Sequence, residues 1–473
     1  MLIKKHRTIF KETRSSIILT ICGVLQKGIS FLIVPVYTRI MPSNAYGEYS
    51  VFLSWIELIS IFATLNMWNY LIINGMTKYE DDRDKFISSL QGLSATLTLI
   101  WFVFYLMFNK LWEKSTGLSN PVMLAMFVEL LTMPSFQYWC QRKRFEYEAK
   151  SVLVITIVLY ILFPMVSIPF ILIATQKGIA AILGRAIISS IVYCFPFIDI
   201  WKKGKCFFNK EYWKYALKFN LPLIPHFLSM MVLSMSDRIM IERMCSASDA
   251  ALYSVANSAG SGVMVINTAV LGSFIPFTYQ NLKKNNISSI KKNASKILLL
   301  IGTINLIFIL AAPEIISILG TEEYKKAIYV IPPIALSNMF MFLFNLFVNI
   351  EYYFEQTKQV AFASVVSAIT NVVLNYICLP KLGFIAAGYT TLICYIIYSL
   401  GHYVLMRRAC NKFLDGIKVY DMKGLIAICV VCLVVGVSVI LIFPYAIIRY
   451  SLIMVGIVIG IFKRKEILTM LKK

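Results

Sequence analysis

The stretch "TRIMPSNAYGEYSV", Thr38–Val51, ends an apolar run in an arginine, turns at Pro42 and restarts at Tyr46 and Tyr49. Further along, "DRIMIERMCSASDAALYSV", Asp237–Val255, does the same. Arg39-Ile-Met and Arg238-Ile-Met lie 199 residues apart. A second pair keeps nearly that spacing: Gly178 in "KGIAAILGRAIIS" and Gly383 in "LGFIAAGYTTLIC" are 205 apart. Two matches at almost one offset point to a duplicated unit.

The chain of 473 residues is 59% hydrophobic and 15% charged. A soluble globule has about 45–50% apolar and about 25% charged residues. There is too little polar surface here to coat a soluble core, so the natural solvent is lipid. Reading for runs of about 20 apolar residues gives fourteen spans: 16–38, 48–73, 87–108, 119–139, 151–175, 178–201, 216–237, 248–277, 294–319, 328–350, 360–380, 383–406, 422–443 and 446–462. The first is too long for a cleavable signal peptide and is expected to remain as a span.

The net charge of +22 would suggest nucleic acid in a soluble protein, but its distribution argues otherwise. Of the 46 Lys and Arg, 34 fall on the side of the N-terminus and 10 on the other, counting those in a span's end turns with the adjoining loop. That asymmetry is an orientation signal. Both termini are expected in the cytoplasm, no nucleic-acid partner is expected, and "CQRKRFEYEAK" and "IWKKGKCFFNKEYWKYALK" read as solvated inner loops. The ten cysteines are scattered. Cys429 and Cys432 read as small core residues, and no metal or cofactor site is expected.

The expected fold is therefore an all-α polytopic membrane protein. Residues 1–203 form a six-helix bundle, 204–215 a cytoplasmic linker, 216–410 a second six-helix bundle, and 411–473 two additional, peripheral spans. Repeated halves of this kind are common in secondary transporters, whose substrate sites lie near the bilayer midplane at the repeat interface.

The arginine that closes span one, the "PSNAYGEYSV" after it, and "NVVLNYICLPKLGFIAAGYTT" at Asn371–Thr391 resemble the Wzx-type polysaccharide flippases. These belong, with the lipid II flippases, to the multidrug/oligosaccharidyl-lipid/polysaccharide exporter superfamily. The resemblance covers the whole chain. Its more specific part is Asn371-x-x-x-Asn375 followed by Pro380, Gly383 and Gly388. It implies a V-shaped transporter that moves undecaprenyl-diphosphate-linked oligosaccharide repeat units from the cytoplasmic to the outer leaflet by alternating access. The setting would be O-antigen, lipopolysaccharide or capsule synthesis at a bacterial inner membrane. The implied partners are the lipid-linked oligosaccharide, membrane lipids, a polysaccharide polymerase and a chain-length regulator. The first half's span five lacks the paired asparagines, and only Lys27 and Arg185 are basic residues well inside spans.

A charge within a span costs about 2.5–3.5 kcal/mol on the insertion scale, so each one needs a reason. Lys27, with Gly23 at i−4 and Ser30 at i+3, has a small polar face suited to a water-filled cleft and an anionic headgroup. Its alternative is an ion pair with Glu57, which also reads as a counter-charge or coupling carboxylate. Arg39 and Arg238 read either as interfacial anchors or as outer gate contacts to phosphate, with Asp237 neutralising Arg238 or serving in coupling. Arg185 is a further substrate-binding candidate. His226 follows Pro222 and Pro225, which are expected to interrupt span seven. Asn257 and Ser261 belong to a polar stripe on span eight that suits a glycan, whereas the asparagines of spans ten and eleven read as helix-to-helix ties.

Two other functions use some of these features. A cation-coupled multidrug exporter of the same fold would rely on Glu57. A membrane-embedded polymerase or acyltransferase would need catalytic groups on a sizeable loop, and the outer loops are about ten residues or shorter.

Overall fold

The computed structural model describes residues 2–354 and 356–462, with side chains described except at 2–14, 16–17, 20, 261, 357–358 and 459–462. Among the described residues there is no strand. The chain divides between Met231 and Val232 into two compact units.

The first unit holds α1 (Leu2–Ile40), α2 (Ser43–Thr64), α3 (Leu71–Lys78), α4 (Arg83–Met107), α5 (Asn109–Thr116), α6 (Asn120–Phe145), α7 (Ala149–Ile173), α8 (Lys177–Gly204) and α9 (Lys210–Asn220). In it α8 packs on α2, α4, α6 and α7, while α1 lies mainly against α7. The expected second span is interrupted. Thr64 ends α2, and Leu65 and Asn66 take left-handed backbone with φ of 53° and 48°. The Thr64 hydroxyl accepts from Asn66 N, and α3 starts afresh at Leu71. The basic segment after α8 docks on α4. Cys206 N donates to the Ser88 hydroxyl at 3.2 Å and Trp213 Nε1 to the Ser89 carbonyl at 3.0 Å. Asn209 then caps α9 by accepting from Glu211 N and Tyr212 N.

The boundary between units falls inside α10 (Ile224–Met244). Before it, Leu221–Leu223 form a single 3-10 turn, the interruption expected from Pro222 and Pro225.

The second unit continues with α11 (Ala247–Lys283), α12 (Ile287–Leu310), α13 (Ala312–Leu319), a 3-10 segment Glu322–Val330, α14 (Ile331–Tyr353), α15 (Thr357–Leu382), α16 (Ile385–Phe413), α17 (Met422–Ser438) and α18 (Ala446–Phe462). Its centre is α14, which touches α11, α12, α16 and α17. α16 lies so close to α14 that a side chain at Gly388 would meet Pro333 Cγ at 2.8 Å. Gly383, between α15 and α16, has φ +70°, a conformation that side chains resist.

Among the described residues, 11 helical segments are long and apolar enough to cross a membrane, or 12 with the α5–α6 pair, which bends by 95°. Two expected spans fall outside this number. α2 is a 22-residue helix diluted by Glu48, Glu57 and five serines and threonines. α18 is shorter, with an apolar stretch of Ala446–Val458.

Candidate functional site

Lys27 lies seven turn-forming positions into the apolar segment Ile21–Ile40 of α1 and is exposed. Exposure alone does not say whether an ammonium faces lipid or water, but helix geometry does. At about 100° per residue, the exposed apolar side chains Ile21, Leu25, Leu32 and Val36 centre about 150° away from Lys27, while a fifth, Val24, lies about 60° from it. Gly23 and Ser30, both exposed, lie within about 60° of it. The lysine thus stands opposite the main exposed apolar stripe, on a side that carries Gly23, Ser30 and one exposed valine. Among the described residues it makes no hydrogen bond or ion pair, and Glu57 is not its partner.

Glu57 belongs to a different group. It is the one exposed residue from Ser50 to Thr64. Its carboxylate feels the charges of Arg185 and Glu129. Arg185 on α8 pairs with Glu129 on α6 at 2.8 Å, where Glu129 is fully buried and Arg185 keeps a fifth of its side-chain surface. The guanidinium also lies over the Phe163 ring of α7 at 5.2 Å and comes within reach of Tyr49 on α2. Four helices therefore converge on one cation and two carboxylates. The buried pair uses Arg185's charge for Glu129 and leaves Glu57 as the accessible acid.

Arg39 is exposed and folds back on its own helix, Nη1 donating to the Pro35 carbonyl at 2.7 Å. His226 is half-buried beside Phe227, whose ring stacks on Tyr70 at 6.3 Å.

In the second unit the charge is turned inward. Asp237 does not simply neutralise its neighbour Arg238; it is buried and accepts from Tyr253 Oη at 2.5 Å, Asn375 Nδ2 at 2.6 Å and Thr391 Oγ1 at 3.0 Å. Behind these, Asn375 Oδ1 accepts from Thr390, and Asn371 Oδ1 accepts from Ser236 at 3.4 Å. The paired asparagines of α15 thus tie α10 to α16 around one carboxylate. Arg238, half-buried, places Nη1 2.9 Å from Met235 Sδ. Asn257 is half-buried on α11, and the Ser261 side chain lies outside the described residues. Nearby, Asn338 donates to the Gly260 carbonyl at 3.1 Å and Asn267 to the Asn338 carbonyl at 2.9 Å, clamping α11 to α14.

Two acids escaped the sequence reading. Glu129 sits in "FVELLTMP" with Thr132 at i+3 as its one polar companion in that stretch. Glu351 pairs with His402 at 2.8 Å, both fully buried, near the ends of α14 and α16. The one available signal was the cost of a charge within an apolar run, which by itself does not name the partner. Among the described residues no three His, Cys, Asp or Glu gather as metal ligands.

Residues 13–282, more than half of the chain, match the family described as Polysaccharide biosynthesis protein, and residues 277–417 match the PelG exopolysaccharide exporter family. A Lsg locus protein of Haemophilus influenzae is 24% identical over 380 residues, covering 76% of this chain and 90% of its own length. Among solved structures, the lipid II flippase MurJ in an inward closed conformation superposes with a TM-score of 0.69 at 16% identity, covering 95% of this chain and 100% of its own. An inward-facing multidrug resistance MATE transporter of the MOP superfamily gives 0.63 at 12% identity, over 84% and 96%. At such identities the structural likeness establishes the fold.

Proposed function

The chain belongs to the polysaccharide biosynthesis protein family, and from that premise we propose that it is a flippase for undecaprenyl-diphosphate-linked oligosaccharide repeat units. It moves them from the cytoplasmic to the outer leaflet by alternating access, for O-antigen or another surface polysaccharide. The excess of Lys and Arg on the N-terminal side supports cytoplasmic termini and an inner-membrane location.

One observation carries this reading: the unpaired ammonium of Lys27 on the polar side of α1. An isolated cation inside a span is expensive, and facing away from the apolar stripe it needs water or an anion. A diphosphate supplies the anion, and Ser30 and Asn257 supply sugar contacts. Arg39 and Arg238 meet the headgroup at the release side, and Arg185 holds the Glu129 side of the passage. The polymerase and chain-length regulator act on what emerges.

Glu57 favours a second reading, a cation-coupled exporter of drugs, because one accessible carboxylate stands in a group with two acids and one base. In the flippase it serves with Asp237 and His226 as the coupling candidates. Lys27→Ala in a deletion strain is expected to abolish surface polysaccharide at unchanged membrane levels of the protein. Normal polysaccharide in that strain overturns the anchoring role. Drug sensitivity of the deletion strain, with intact polysaccharide, favours the exporter instead.

A further inference from the structure

The lysine-rich face of the second unit holds a cavity of about 300 Å³ that no part of the transport reading uses. Three elements build it: Lys291 from the first turns of α12, Arg407 from the end of α16, and Lys418 and Lys423 from the connection into α17. The walls are fixed in place. Arg407 Nη1 donates to the carbonyls of Gly416 at 3.3 Å and Ile417 at 3.2 Å, tying that connection to α16. Tyr420 is buried and donates its hydroxyl to the Leu346 carbonyl at 2.8 Å.

Four cations thus surround one opening. Asp421 is the lone carboxylate on the lining, and it already accepts from Gly424 N at the start of α17. Among the described residues Lys291, Lys418 and Lys423 make no ion pair or hydrogen bond. Like charges gathered within a Debye length of about 8 Å repel one another, and an anion in their midst relieves the repulsion. The rest of the lining, Met406, Val419 and Met422 among it, is apolar. A wall that is cationic on one part and apolar on another matches a phosphodiester with glycerol and chain attached. Lys291 begins one membrane helix and Arg407 ends another, which puts the opening at headgroup level.

We propose that this cavity binds the phosphate of an anionic phospholipid in the leaflet on the lysine-rich side. The inference rests on the membrane-spanning reading and is independent of the cargo. Basic pockets between transmembrane helices hold such headgroups elsewhere.

The test is native mass spectrometry of the purified, delipidated full chain titrated with phosphatidylglycerol or phosphatidylcholine. The wild type is expected to retain one tightly held phosphatidylglycerol, with affinity falling about fivefold for each lysine removed in Lys291→Ala, Lys418→Ala and Lys423→Ala. A triple Lys→Arg variant keeps the lipid, and phosphatidylcholine binding is the same in all. Millimolar inorganic phosphate leaves the lipid in place; displacement by phosphate makes this a free-anion site and overturns the lipid assignment. Equal retention by wild type and triple alanine variant overturns the site itself. Thermal unfolding in phosphatidylcholine nanodiscs checks that the variants fold, and single Lys418→Ala, at an exposed position, replaces the triple variant if it does not. Surface polysaccharide plays no part in the readout, so failure here leaves the flippase reading standing, and the reverse.

Discussion

Position 185 on α8 and position 390 on α16 correspond at the 205-residue offset, and so do Thr38 and Asp237 at the 199-residue offset. The first unit has arginine and threonine there; the second has threonine and aspartate. In the second unit the carboxylate of Asp237 is buried among neutral donors from α11, α15 and α16. In the first, Thr38 bonds to its own helix through the Pro35 carbonyl, and the charge resides in Arg185, paired with Glu129 from outside the duplicated motif. One unit surrounds the Asp237 carboxylate with amides and hydroxyls, and holds its buried Glu351–His402 pair and its Arg449–Glu314 pair elsewhere. The other has accumulated several charges and left Lys27 and Glu57 accessible. At these matched positions the first unit holds a cation paired with a carboxylate, and the second a carboxylate bonded to neutral donors.

The sharpest test of that contrast is Glu129→Gln. Removing one partner of a buried ion pair strands the other, so a loss of about 3 kcal/mol is expected in thermal unfolding of the solubilised protein. Glu129→Gln with Arg185→Gln is expected to recover part of it. If the single variant melts like the wild type, the pair is not what holds α6 to α8.

Asp237→Asn comes next, at about 2 kcal/mol, because an amide NH2 then faces hydroxyl and amide donors that lose an acceptor. A neutral loss would mean that the second unit's network is tolerant and the contrast with the first is weaker than drawn. Gly383→Ala is expected to cost on the order of 1 kcal/mol, since φ +70° with an extended ψ suits glycine alone. Its counterpart Gly178 has no such backbone, and a side chain there instead meets the Glu48 carboxylate first and then the Ala45 carbonyl at 3.0 Å. Combining Gly178→Ala with Ala45→Gly therefore leaves the Gly178→Ala penalty unchanged, because neither the Glu48 carboxylate nor the Ala45 main chain is removed. The smallest effect belongs to Asn345→Ala, about 0.6 kcal/mol or less, as its amide bonds only within α14 to the Met341 carbonyl.

Much of the architecture could be read from the amino acids because lipid imposes long apolar runs and sorted lysines. That reading separated the α7 and α8 runs across the short "TQKG" connection. The break at Leu65–Asn66 was hidden, since neither residue announces a left-handed backbone within an apolar run. The asparagine pair was visible as a pattern, and its role as a tie between helices was foreseen. Its partner was not, because Asp237 sits next to Arg238 in sequence, whereas in the fold donors from three other helices reach its carboxylate. Lys27 was expected to serve an anion or to pair with Glu57; the structure does not pair it with Glu57, whose carboxylate feels the Arg185 charge instead. Periodicity tells which side of a helix a residue occupies, but partners such as Glu129 are set by which helices become neighbours.

Helix α11 runs for 37 residues, a rod of about 55 Å, where the hydrocarbon is about 30 Å thick. Its surplus turns must protrude or the whole rod must lean steeply. The asparagine clamp at Gly260 grips it near one third of its length, and Pro276 beyond the grip marks where the rod bends, so motion at either point displaces the distant tip. A spin label at Lys284 therefore works as a pointer needle, reporting on the buried grip from a wet, accessible end.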